Sequence, residues 1–372
     1  MDLKARLRRY RDARNLTAST TEETKPHRIT EEEKGSWHGW IEAGFKTLKR
    51  EVSLELNIPV PDSFSATLPI IVPDLMRMEK KTSFGDLLFF DLETTGLSGG
   101  AGTIAFLAAF GRFAKRGGNA GLVVTQYLLL DYPGESDFIE RVAGEFAASP
   151  PPLVVTYNGK SFDSQILKNR CLMNGMTPPE YFHADLLHPA RRLWKRVLPD
   201  CSQAAVEVSV LGLNRDGDVP GAMAPQIWFS FLKSGDNPAL LSICDHNVRD
   251  ITGLAALFLA LAGIAADPIE SRDRFRFDEE ALALLWWKAI RKNPLSFGDE
   301  EKKTGELLLR NAARDGSPIA ALILAKNAEW RLKDYKLALE YTDSALASQE
   351  ISEELQSGLE KRRLRLERKI GE

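Results

Sequence analysis

Cysteine is scarce in this chain of 372 residues: three occur, Cys171, Cys201 and Cys244, an odd number with no Cys-x-x-Cys pair. That argues against a disulfide framework and a structural zinc site, and it fits a reducing cytoplasm. An excess of one charge is lacking as well. The 49 Lys and Arg against 52 Asp and Glu leave a net charge of -3, so any nucleic acid must be met by a local patch. No uncharged run reaches the roughly 20 residues that span a bilayer. The longest apolar one, 251–266, has 16 residues and is closed by Asp250 and Asp267. It reads as a buried core helix, and no membrane partner is expected. The first 15 residues carry six Lys and Arg against two Asp with no apolar core, unlike a secretory signal.

What is present is an ordinary globular composition, 44% hydrophobic and 27% charged, in a length that suits one large unit and a smaller one at roughly 150 residues per domain. Residues 1–83 form an extension and linker with no assigned structure. Leu alternates with Arg at helical spacing over 1–15, Glu31 to Glu33 precede Trp37 and Trp40, and Pro59, Pro61, Pro69 and Pro73 punctuate an extended connector.

From residue 84 the pattern is α/β. Apolar runs at 87–93, 103–113 and 122–130, joined by Gly-containing turns, predict three antiparallel strands. A helix over 136–148, a strand at 153–157, a helix over 163–174 and a strand at 182–186 follow, the alternation of a parallel extension. Helices over 187–196, 202–212, 225–234 and 238–262 complete a domain at 84–265. Strand signals then cease, and 270–372 reads as all-helical. Within it, Ala325, Ala328, Ala338 and Ala345 stand where two helices must approach closely. The segment 324–347 resembles a tetratricopeptide repeat with one extra residue in the inter-helix turn. The basic KRRLRLERK at 361–369 reads as an exposed helix end.

Asp91 and Glu93 sit at i and i+2 on an otherwise apolar strand, so both side chains point to one face. Two buried like charges must lose one charge or bind a hard cation; a solvent-facing strand end with two harmless acids is the other reading. Thr94, Thr95, Gly96 and Leu97 follow in a turn whose amides and hydroxyls could hold a phosphate or nucleotide. Asn158, Phe162 and Asp163 lie where a strand meets a helix, and Asp163 reads equally as a helix-capping aspartate. His246 and Asp250, four apart, share one face of a helix and could be an ordinary surface pair.

D-x-E on a first strand, N-G-x-x-F-D after a later strand and H-x-x-x-D on a late helix, in that order, resemble the three motifs of the DEDD (DnaQ-like) exonucleases. Longer stretches, LLFFDLETTGLSGGAGTIAFL, VVTYNGKSFDSQIL, HADLLHPARRLW and CDHNVRDITGL, look like the bacterial predicted exonucleases that join an RNase H-like domain to C-terminal tetratricopeptide repeats. The resemblance covers about residues 84–262, with a weaker echo at 317–347.

It implies an RNase H-like mixed sheet, three antiparallel strands extended by parallel ones, followed by a helical TPR-like domain. It implies that Asp91, Glu93, Asp163 and Asp250 hold two Mg2+ or Mn2+ ions, which stabilise the attacking and leaving oxygens at phosphorus. His246 takes the position of the residue that orients or deprotonates water, which an imidazole can do at neutral pH. Of two better-known subtypes, one has His five residues before the last aspartate and the other Tyr four before it. His246 keeps the tyrosine spacing.

The resemblance further implies a substrate that is the end of single-stranded DNA or RNA, contacted by Thr94, Thr95, Gly96, Leu97, Asn158 and Phe162, with a helical domain that engages a protein partner or the substrate. Asn158 would fix the turn presenting Asp163, with Phe162 packing beneath. His183 and Asp185, at a strand end near the sheet's carboxyl side, would reach the metals or only brace the site. The Leu97–Gly102 glycines read either as a flexible strand connection or as room for a nucleic-acid backbone. Arg191, Arg192, Lys195 and Arg196 around Trp194 read either as a phosphate-tracking helix with a stacking ring or as a solvated basic face over a buried Trp. A non-catalytic binding module and an RNase H-type endonuclease are the competing functions.

Overall fold

The computed structural model describes residues 37–55, 63–77, 83–96, 102–116, 119–147, 151–348 and 351–371. The helical pattern over 1–15, Pro59, Pro61, and Leu97 with the glycines Gly99 and Gly100 lie outside the described residues. The chain divides into two compact units, one of residues 1–64, 76–187 and 211–259, the other of 65–75, 188–210 and 260–372.

The first unit is built on one mixed sheet. Its strands are β1 (Ile41–Gly44), β2 (Thr47–Glu55), β3 (Leu87–Thr94), β4 (Ala105–Arg116), β5 (Asn119–Leu129), β6 (Leu153–Thr156) and β7 (Phe182–Asp185), in the spatial order β1-β2-β5-β4-β3-β6-β7. The ladders from β1 through β3 are antiparallel, and β3-β6 and β6-β7 are parallel. The order β5-β4-β3-β6-β7 is the expected RNase H-like arrangement. Residues 41–55, left unassigned from sequence, add a hairpin that pairs along β5 from Thr47 beside Leu129 to Glu55 beside Gly121.

β3 forms because its apolar and aromatic residues are wanted on both faces, the pattern of a central strand. Phe90 stacks on Phe110 at 5.1 Å and meets Phe146 edge-on at 5.2 Å. On the other face Phe89 meets Phe113 at 5.2 Å and Phe258 at 6.0 Å. Each fully buried ring contributes roughly 1.5–3 kcal/mol of burial.

Helices α1 (Glu135–Gly144) and α2 (Asp163–Met173) add Phe138, Ile139 and Ile166 to the cluster that holds Phe90. Phe258 belongs to α6 (Pro238–Ala266), which follows α3 (Leu187–Trp194), α4 (Gln203–Leu211) and α5 (Ala224–Ser234). α6 has 29 residues and an 18-residue window apolar enough to cross a membrane, but 78% of that window is buried within the protein. It is a core helix, as a helix apolar on all sides should be. Gly111 on β4 admits it, since a Cβ there would lie 2.6 Å from Ile251 Cγ2.

In the second unit, α7 (Glu279–Lys292), α8 (Asp299–Arg314), α9 (Pro318–Asn327), α10 (Tyr335–Leu346) and α11 (Glu353–Gly371) pack consecutively on one another. Asp278, Ser317 and Asp334 cap α7, α9 and α10 by accepting from Ala281, Ala320 and Leu337 N–H. Two surface readings need correction. Trp194 is fully buried and donates from its indole to Phe275 O at 3.0 Å, so it is no stacking ring for a base. The 361–369 run is not simply exposed: Arg362 is buried, and with Arg365 and Lys369 it surrounds the buried Glu329 carboxylate. Burial would raise Glu329, but Arg365, Lys369 and Arg362 hold it below the usual carboxylate range.

The close approach at Gly111 makes a test. Gly111→Val should lower the denaturation midpoint through overpacking worth about 1–3 kcal/mol, and Ile251→Ala in the same chain should recover part of it. A Gly111→Val variant as stable as wild type would show that the helix does not depend on this gap.

Candidate metal centre

β3 carries Asp91 and Glu93 beyond the last pair it shares with β6, Phe89 beside Val155. Both therefore stand past the carboxyl end of the parallel strands, where sheets of this kind open a crevice. After β6 the chain turns through Asn158, whose φ of 66° is a left-handed conformation that asparagine tolerates. The turn is fastened from β7: Asp185 accepts from Asn158 N–H at 2.8 Å, Lys160 N–H at 3.1 Å and Leu187 N–H at 3.1 Å. Phe162 packs against the core cluster and holds the N-cap position of α2. Asp163 is thus the first helical residue and not its cap, and it is 4% exposed. His183 lies 2.8 Å from Thr156 Oγ1 and 3.3 Å from Ser164 Oγ, a bracing position.

α6 supplies the remaining residues. His246 Nε2 is 3.2 Å from Asp250 Oδ2, as an i, i+4 pair allows. One ligand atom from each of Glu93, His246 and Asp250 lies within 4.8 Å of the others, a group able to hold a metal ion. The acids feel one another's charge. Burial, and then Asp250, push the Asp91 carboxyl up to about 7, against the pull of His246 and an Asn247 hydrogen bond. Burial and the charges of Asp91, Asp250 and Asp163 raise Glu93 well above its ordinary value; burial and Asp91 do the same to Asp163. Asp91, Glu93, Asp163 and Asp250 thus form one cluster drawn from three separate segments.

The donor set fits a hard divalent ion. It is dominated by carboxylate oxygens, poor in nitrogen and free of thiolate, which suits Mg2+ or Mn2+ better than zinc.

The threonine turn is engaged internally. Thr94 donates its hydroxyl proton to Gly96 O at 2.9 Å, and Thr95 Oγ1 accepts from Ile104 N–H at 3.0 Å. Leu97 lies outside the described residues.

Several residues of the centre had no signal in the sequence. Asn247 donates to Asp91 Oδ2 at 2.7 Å, and Arg215 donates to Asp250 Oδ1 at 2.6 Å. Asp218 Oδ2 lies 2.9 Å from His246 Nδ1, near in distance but poorly aligned for a hydrogen bond, and Asp218 also pairs with Arg215 and Arg249. Gly221 covers the imidazole: a Cβ there would stand 3.1 Å from Nε2. The run RDGD at 215–218 reads as a plain turn, and nothing in its spacing ties it to α6.

Fold and acid cluster together define an RNase H-like protein, and residues 88–262 match the family model of the RNase H superfamily. The chain is 30% identical over 320 residues to the uncharacterized protein YprB of Bacillus subtilis (strain 168), across 76% of this chain and 75% of that protein, and it belongs to that protein's family. Among solved structures, the family B DNA polymerase of Pyrobaculum calidifontis aligns at 14% identity and a TM-score of 0.35, over 55% of this chain and 29% of the polymerase. The zinc-bound E. coli ExoI-ssDNA complex aligns at 14% identity and a TM-score of 0.28, over 75% of this chain and 90% of that one.

The raised acids set a pH dependence for the metal-free protein. Asp91 with a folded value of about 7 binds its proton more tightly folded than unfolded. Its contribution to stability is present at low pH and is lost as the pH rises from about 4 to about 7. In EDTA at pH 8, Asp91→Asn should therefore melt above wild type, with the difference shrinking as the pH falls and gone by about pH 4. Mn2+ should raise the melting temperature of wild type at pH 8 far more than that of the variant. Identical melting curves in scanning fluorimetry under all conditions would refute the clustered-charge account.

Proposed function

We propose that this protein is a metal-dependent 3'-5' exonuclease of the DEDD type, acting on ends of single-stranded DNA or RNA. The observation that carries the reading is the convergence of Asp91, Glu93, Asp163 and Asp250 into one mutually repelling cluster beside His246. Like charges held together with little access to water are costly unless a cation compensates them.

Asp91, Glu93, Asp163 and Asp250 would hold two Mg2+ or Mn2+ ions. When bound, such a pair supplies Lewis-acid neutralisation of charge on the attacking and leaving oxygens. The chain's own groups do the rest. His246 orients the attacking water and takes its proton at the imidazole, while Asp218 steadies the ring from the Nδ1 side. The water oxygen bonds to phosphorus, the P–O3' bond breaks, and the 3' oxygen leaves on the shortened strand and takes a proton from solvent. The terminal nucleotide departs as a 5'-monophosphate. Arg215, beside Asp250, places a guanidinium where phosphate charge arrives. Asn158 and Phe162 hold the turn bearing Asp163, and the segment of Thr94, Thr95, Gly96 and Leu97 would contact the end nucleotide.

The helical unit is proposed to be TPR-like and to serve a protein partner. Support comes from the consecutive packing of its helices and from Ala325, Ala328, Ala338 and Ala345, all at most 1% exposed. The extra residue between the two helices coincides with a π-helical turn at Ala328–Leu332, the usual way a helix absorbs an insertion. Three free cysteines accord with a cytoplasmic location.

Purified protein with 5'-labelled single-stranded DNA and RNA should give a ladder shortening from the 3' end in Mn2+ or Mg2+ and none in EDTA. Asp91→Ala and Asp163→Ala should abolish it while the fold is retained. Turnover by either variant at the wild-type rate would overturn the assignment. Cleavage of a circular strand would replace the exonuclease with an endonuclease, and binding without any cleavage would replace it with a binding module.

A further inference from the structure

The hairpin strand β2 reaches the acid cluster through side chains alone. Strand register places Arg50 of β2 beside Gln126 of β5, Gln126 beside Ala109 of β4, and Ala109 beside Asp91 of β3. Directly paired residues share a face, so these four form one row across four adjacent strands. Ala109 is the gap in the row. Its methyl group leaves room for Asn247 to come down from α6 and join the two halves.

The hydrogen bonds run in one direction along the row. Arg50 Nε donates to Gln126 Oε1 at 2.6 Å. Gln126 Nε2 then donates to Asn247 Oδ1 at 2.8 Å and to Cys244 O at 2.9 Å, using both its protons. Asn247 Nδ2 donates to Asp91 Oδ2 at 2.7 Å. Gln126 and Asn247 are both fully buried. An amide side chain could face either way, but the ends of this row decide. Guanidinium can only donate and an ionised carboxylate only accept, so each amide between them has one satisfied orientation. Arg50 is itself fixed, by its ion pair with Asp245 at 2.8 Å and by its stacking on Trp40 at 4.9 Å.

We infer that Arg50, Gln126 and Asn247 are positioning residues that aim the Asp91 carboxylate for a divalent cation, so that the N-terminal hairpin is a working part of the metal centre. The inference rests on the metal-site reading above. Donors behind a liganding group fix its orientation, and their loss costs about 10–100-fold in metal affinity in characterised sites. Without Asn247 the Asp91 carboxylate loses its side-chain donor, and without Gln126 and Arg50 the Asn247 amide loses the partner that holds its Oδ1 and so fixes the direction of its protons.

The test is Mn2+ affinity of the full chain, read by electron paramagnetic resonance of free Mn2+, with folding checked by circular dichroism. Asn247→Ala and Arg50→Met should each weaken binding by about 10–100-fold. Arg50→Lys, which retains a donor, should recover much of the loss. Val52→Ala, on the same strand but off the row, should leave affinity unchanged and so separates positioning from simple loss of stability. Arg50 lies near the sheet edge, so its variant keeps the test open should Asn247→Ala fail to fold. Wild-type affinity in Arg50→Met would overturn this inference and leave the metal centre standing. A wild-type protein that binds no more Mn2+ than Asp91→Ala would overturn both.

Discussion

Repulsion among carboxylates that are buried or half-buried is the constraint to which the first unit answers. Asp91, Glu93 and Asp163 each lose hydration, and each faces at least one other acid of the cluster. Desolvation of an unpaired carboxylate costs several kcal/mol, against a total stability of about 5–15 kcal/mol for an ordinary domain. A chain keeps such a grouping only if the rest of the fold is over-determined, and here it is. β3 is packed on both faces by aromatic rings, the turn before α2 is fastened by two of its amides on Asp185, and α6 is buried along most of its apolar length.

The position of α6 is the second consequence. His246, Asn247 and Asp250 occupy little more than one helical turn, so a small slide of the helix would break all their contacts together. Two features of the sheet hold that turn in place. Gly111 lets Ile251 approach the backbone of β4, and the polar row from Arg50 takes hold of Cys244 O, Asp245 and Asn247. An apolar contact sets how near the helix comes, while directional bonds set its rotation and register. Sites assembled on rigid elements in this way keep their geometry better than sites on loops.

Much of this was legible in the sequence, for physical reasons that also explain the failures. The run LLFFDLE announces a central strand because apolar side chains on both faces leave few other structures, and its two acids are conspicuous for being out of place. Asp163, His246 and Asp250 stood out by their spacing relative to predicted elements, and the structure brings them to Asp91 and Glu93. β1 and β2 were missed. KREVSLE opens on three consecutive charged residues and alternates polar with apolar only from Glu51 on, so this half-solvated strand has no strong signature. Gln126 and Asn247 were invisible because an amide is ordinary at a surface and informative only once buried. The basic run 361–369 misled because its partner, Glu329, lies more than thirty residues away and charge pairing leaves no periodicity.

Asp250 shows how the centre balances its charges. Its Oδ1 accepts from Arg215, and its Oδ2 faces His246. Arg215 and His246 also share Asp218, which Arg249 contacts from the other side. The acid that faces the cluster is thus tied, through two cationic or ionisable groups, to the 215–221 segment that covers the imidazole. A cation arriving at Asp250 meets a carboxylate already engaged with a guanidinium, and Arg215 must share it or give it up. Under the proposed metal-binding role, the same ion pair that steadies the segment would set a competition between guanidinium and cation for one carboxylate.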